Sequence, residues 1–88
     1  MDWSDEIDAR GLLCPLPVLR ARRRLEAMPP DAVLRLLTDD PAALVDVPHF
    51  CAESGHTLLA RTDPAPPTLI WLIRRRPDHR LPGGGVYR

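Results

Sequence analysis

Cys14-Pro15-Leu16-Pro17 is the segment of this 88-residue chain best suited to chemistry. Val18, Ala21, Leu25 and Met28 recur at helical spacing behind it, with most of the arginines on other faces, which predicts an amphipathic helix with Cys14 as its N-cap. Pro15 suits the first helical position, where its fixed φ fits and its missing N–H is no loss, and it pushes Cys14 toward extended geometry. Pro17 removes another first-turn donor, leaving the Leu16 N–H among the few backbone groups able to face the sulfur. A thiolate there meets the positive end of the helix dipole, and helix N-termini lower a cysteine pKa from about 8.5 toward neutrality. The expected chemistry is nucleophilic attack by sulfur.

The competing reading makes Cys14 a small hydrophobe continuing Leu12-Leu13 into a core. Gly11 and the two prolines oppose it, because they mark a turn running into a helix start. Cys51 reads differently. It shares a helical face with Leu44, Val47 and Pro48, so it is expected to pack and not to react. The two cysteines form no C-x-x-C pair, and His49, His56 and His79 supply no recognisable zinc spacing with them, so neither a disulfide nor a metal is expected.

The elements that must position Cys14 follow from periodicity. Ile7 and Ala9 alternate with Glu6, Asp8 and Arg10 as a short half-buried strand, and Pro29-Pro30-Asp31 stops the first helix. Residues 32–38 are apolar enough for a central strand, and strand, helix, strand implies a parallel β-α-β unit. Asp39-Asp40-Pro41-Ala42 repeats a helix-start signal, with Asp40 as N-cap and Pro41 in the first position; Pro48 should kink or split this second helix, and Gly55 should end it. Residues 56–61 and 69–74 read as strands joined by a rigid loop at Asp63-Pro64-Ala65-Pro66-Pro67. The expected fold is α+β, a two-layer α/β sandwich of order β-α-β-α-β-β, its four-stranded mixed sheet carrying both helices on one face. Residues 1–76 form the domain, and residues 77–88, with their glycine run, are expected to be a mobile tail.

Composition narrows the function. A chain this small buries only about 60% of its unfolded surface and is suited to presenting a reactive group to larger partners, not to enclosing a substrate and cofactor. Apolar residues make up 44% and charged residues 27%, within the globular range. No apolar stretch approaches the roughly 18 residues of a membrane span, and the acidic start at residues 1–6 is unlike a signal peptide, so a cytoplasmic protein without membrane contact is expected. The formal net charge is zero. With no nucleic-acid motif either, direct nucleic-acid binding is not expected. Arg20, Arg22, Arg23, Arg24 and the run Arg74-Arg75-Arg76 offer either a docking surface for a protein or a solvated helix face and a charge-blunted edge strand.

The pattern of residues 8–17 ending in Cys14-Pro15-Leu16-Pro17, then Asp39-Asp40-Pro41-Ala42, then Asp46-Val47-Pro48-His49-Phe50-Cys51, then Gly55-His56, resembles the TusA (SirA-like) family of small sulfur carriers over about residues 6–75. The resemblance implies that Cys14, alone carried over as catalytic with Pro15 and Pro17 supporting the motif, accepts sulfane sulfur as a persulfide and relays it. The donor implied is a cysteine desulfurase or a rhodanese-like protein, with no cofactor bound to this chain, and the acceptor a downstream protein of tRNA thiolation, other sulfur-dependent biosynthesis or sulfur oxidation. The resemblance also implies a partner-docking role for Arg22, which matches an arginine of the same helix in the family. The family's glycine after the first helix is replaced here around Pro30-Asp31. The alternative left by the residues is a thiol redox or regulatory module using Cys14 without sulfur transfer.

Overall fold

A computed structural model describes residues 2–77. The elements run β1 (Asp5–Asp8), α1 (Leu16–Ala27), β2 (Val33–Thr38), α2 (Ala43–Ser54), β3 (Thr57–Ala65) and β4 (Thr68–Arg74). The sheet order is β1-β2-β4-β3, with β1 and β2 parallel and the other pairs antiparallel. This is the expected two-layer α+β arrangement. Apart from residue 77, the tail expected at residues 77–88 lies outside the described residues.

Alternation decides the inner face. Ile7 and Ala9, Leu34 and Leu36, Trp71 and Ile73 point into one core, where they meet Ala21 and Leu25 of α1 and Ala43, Val47, Phe50 and Cys51 of α2. Burying such side chains is worth roughly 1.5–3 kcal/mol each, and this drives the helices onto the sheet. Trp71, the largest wholly buried side chain, donates its indole N–H to Thr38 Oγ1 at 2.9 Å, so no polar atom is stranded there. The α2 face is turned slightly from the one expected: Leu44 is exposed and Phe50 takes the inner position, while Cys51 is buried.

The helix starts differ from expectation. The N-cap of α1 is Pro15, not Cys14, and the Leu16 N–H donates to the Leu13 carbonyl at 2.9 Å, so it does not face the sulfur. Leu13, Cys14 and Pro15 close a turn of their own, which moves the cysteine one residue further out. The N-cap of α2 is Ala42; Asp40 instead accepts the Ala42 N–H at 3.2 Å, two residues on, in the turn that leads into the helix. Pro48 does not split α2, which is continuous from Ala43 to Ser54 and ends at Gly55 with φ +81°. Asp31 takes φ +68° at the position where the resemblance leads one to expect glycine, and its N–H donates to Arg75 O. Aspartate is one of the few side chains that tolerate this region.

β3 runs on through Asp63 and Pro64, beyond the expected loop start. Pro64 is accommodated because β3 is an edge strand whose register shifts between Thr62 and Ala65, where no ladder donor is required. β4 is internal to the sheet, so the arginines that end it do not blunt an edge. Arg75 is buried with Nε donating to Leu25 O at 3.1 Å, and Arg76 pairs with Glu26 at 3.0 Å. Both tie the end of the sheet to the last turn of α1.

Candidate functional site

Because β1 and β2 are parallel neighbours, their C-terminal ends lie side by side, and the loop after each strand rises from the same edge of the sheet. Sites form at such edges for that reason. The ladder continues past β1 with Ala9 N–H donating to Leu37 O at 2.8 Å. Beyond that point side chains from the second loop take over. Asp39 Oδ1 accepts the Gly11 N–H at 2.9 Å, and Asp40 Oδ2 accepts the Cys14 N–H at 2.7 Å. Gly11 has φ +84° and open space where a Cβ would stand, so it is the backbone turn and not crowding that calls for glycine.

Cys14 is exposed and free, and its sulfur donates a hydrogen bond to Asp46 Oδ2 at 2.7 Å. Asp46 sits in the first turn of α2, where the helix dipole favours a carboxylate. Its hydrogen bond pushes the Cys14 thiol pKa up, and the protein atoms around the sulfur and the charges of Asp46 and Asp40 act in the same direction. This reverses the lowered pKa expected of a helix N-cap. The amide that would have faced the sulfur is engaged with Leu13, and carboxylates stand close to the thiol.

Cys14, Pro17, Val18, Asp40, Ala43 and Asp46 line a hollow of only about 10 Å³. Among the described residues this hollow encloses nothing of substrate size, so Cys14 is reached from the surface. Pro17 is buried in the first turn of α1 and anchors it, while Pro15 is exposed at its cap. Leu13, Leu16 and Leu44 are exposed. A wider open groove of about 860 Å³ follows the outer side of α1 past Leu19, Arg20, Arg23 and Arg24; Cys14 is not part of it. Arg22 lines this groove and lays its guanidinium over the Phe50 ring, 5.2 Å from the centroid.

Cys51 contrasts with Cys14 in its access to solvent. It is buried in the core, and burial pushes its thiol up to about 11. It has neither the access nor the ionisation a nucleophile needs. Among the described residues no group of three or more His, Cys, Asp or Glu side chains is placed to hold a metal ion.

The family described as sulfurtransferase TusA matches residues 5–75. The chain belongs to the TusA family. Among curated relatives it is 36% identical over 72 residues to the sulfur carrier protein TusA of Pseudomonas syringae pv. tomato, covering 82% of this chain and 84% of that one. It is 41% identical over 58 residues to the sulfur carrier protein TusA of Allochromatium vinosum, covering 66% and 76% of the two chains. The crystal structure of the SirA-like protein from Desulfitobacterium hafniense has the same fold, with TM-score 0.74 at 22% identity over 83% of this chain and 99% of that one. The sequence singles out Cys14, Pro15, Pro17 and Arg22. It gives no role to Asp39 or Asp46 and marks Asp40 only as a cap, although the doubled aspartate before Pro41 is plain in it. Their partners lie 26 to 32 residues away and can be named only once the two loops are seen side by side.

Proposed function

We propose that this TusA-family protein is a small sulfurtransferase in which Cys14 accepts sulfane sulfur as a persulfide and relays it to a downstream acceptor protein. The observation that carries the reading is a free, exposed cysteine standing over a hollow too small to enclose a substrate. Thiol exchange at sulfur needs an accessible nucleophile and a good leaving group, and both can be provided by two proteins meeting at their surfaces. The donor is a cysteine desulfurase or a rhodanese-like protein, and the sulfur leaves toward tRNA thiolation, other sulfur-dependent biosynthesis or sulfur oxidation. Pro15 and Pro17 hold the loop at the head of α1, and Arg22, pre-oriented on Phe50, contributes to docking along that helix. The protein works in the cytoplasm, where unpaired thiols persist.

Regulation by thiol oxidation alone is the weaker alternative, because the second cysteine is buried and offers no resolving thiol. Incubation with a cysteine desulfurase and cysteine, followed by intact mass measurement, tests the proposal. One added sulfur atom on Cys14, lost in Cys14→Ser, supports it. No added sulfur from the desulfurase, a rhodanese or a small persulfide overturns it.

A further inference from the structure

Asp39, Asp40 and Asp46 surround the Gly11 to Cys14 loop, and among the described residues none of them is paired with a cation. Asp5, Glu6, Asp8, Glu26 and Asp63, by contrast, each hold an arginine. Two of the three site carboxylates serve the backbone, Asp39 on Gly11 and Asp40 on Cys14 and Ala42. Asp46 touches the sulfur itself.

We propose that Asp46 is a latch on Cys14: its carboxylate holds the resting sulfur as S–H, and a sulfur-exchange partner opens the latch by setting a cationic side chain against Asp46 as it docks. The inference rests on the reading of Cys14 as the sulfur-accepting residue. Loss of the thiol proton with Asp46 free would leave two anions at the 2.7 Å separation of Sγ and Oδ2, with Asp40 adding a further negative charge beside them. Among the described residues the groups facing the sulfur are Asp46 and the uncharged Ala43 from α2, Asp40 from the loop before it, and the uncharged Pro17 and Val18 from α1. None of them offsets that charge. A cation against Asp46 offsets it and makes the thiolate accessible.

The step then balances without an oxidant. Cys14 releases its proton to solvent, and the thiolate attacks the outer sulfur of the donor's persulfide, R–S–SH. The new S–S bond to Cys14 forms as the donor's S–S bond breaks, and the leaving R–S⁻ takes up a proton. The products are R–SH and Cys14–S–SH. Until docking, the carrier is a poor target for stray electrophiles and oxidants, which react with the thiolate.

The test compares wild type with Asp46→Asn, with circular dichroism as the check on folding. Alkylation of Cys14 by iodoacetamide from pH 6 to 10 is followed by peptide mass, and sulfur loading is followed from glutathione persulfide and from a cysteine desulfurase. Asp46→Asn should move the alkylation midpoint toward acid and raise the neutral-pH rate about twofold or more, part of the gain in thiolate being offset by its lower nucleophilicity. Loading from glutathione persulfide should rise similarly, and loading from the desulfurase should rise less. An unchanged or higher midpoint overturns the latch, and an equal rise with both donors overturns its opening by the partner. If wild type takes sulfur from no donor while Asp46→Asn still alkylates faster, the carrier reading fails and the latch stands. Should Asp46→Asn not fold, wild type alone decides, since the latch requires Cys14 to alkylate with a higher midpoint in the native protein than in urea.

Discussion

The backbone N–H of Cys14 donates to Oδ2 of Asp40 at 2.7 Å, so the loop after β2 fixes the residue that precedes the cap of α1. Asp40→Ala removes this bond and the one to Ala42 N–H. We expect a loss of about 1 kcal/mol in urea denaturation, in line with the net worth of a hydrogen bond, and sulfur loading slowed several-fold, the loss of the anchor outweighing the gain in thiolate from removing the Asp40 charge. Loading at the wild-type rate by a folded Asp40→Ala protein would show that the loop needs no such anchor.

Thr38 should matter to stability and not to sulfur. Its hydroxyl is the acceptor for the indole N–H of Trp71, and both residues are wholly buried. Thr38→Val strands that N–H at nearly constant volume, which should reduce unfolding free energy by about 1–3 kcal/mol. Loading of Cys14, measured well below the denaturation midpoint, should match wild type.

Cys51→Ser separates the two thiols. A hydroxyl in the apolar setting of Val47 and Phe50 should destabilise the fold by about 1–3 kcal/mol, yet the folded fraction should still take up one sulfur atom by intact mass. Strong loss of loading in protein that remains folded would give Cys51 a role in transfer.

Acid should weaken the fold through His56. Its ring is buried, Nδ1 accepts the Arg76 N–H at 3.0 Å, and burial together with the Arg76 charge pushes its pKa below the ordinary value of 6.5. The unfolded chain therefore takes up the proton first. This contribution is complete above pH 6.5 and is lost as the pH falls from there through the depressed folded-state pKa. Thermal melts from pH 7.5 to 5 should show the midpoint falling, with a shallower fall in His56→Gln. Parallel slopes for the two proteins would assign the acid sensitivity elsewhere.

Strand alternation around Ile7 and Leu34, the helical spacing of Ala21 and Leu25, and the burial of Cys51 were all legible in the sequence, because each follows from a period of two or 3.6 within one element. The turn into a helix start between Gly11 and Pro17 was legible too, through residues that act on their immediate neighbours, but the cap falls one residue later than expected, at Pro15. Ladder register was not, and so β3 ran on through Pro64 and the final arginines turned inward to Glu26 and Leu25. The protonation of Cys14 lay furthest from what local reading could reach. Residues 14 to 17 by themselves describe a cysteine beside a helix start, which favours the thiolate. Only the parallel pairing of β1 with β2 sets Asp40 and Asp46 against that cysteine, and an anionic carboxylate in contact with the sulfur reverses the preference because it acts at closer range than the helix dipole.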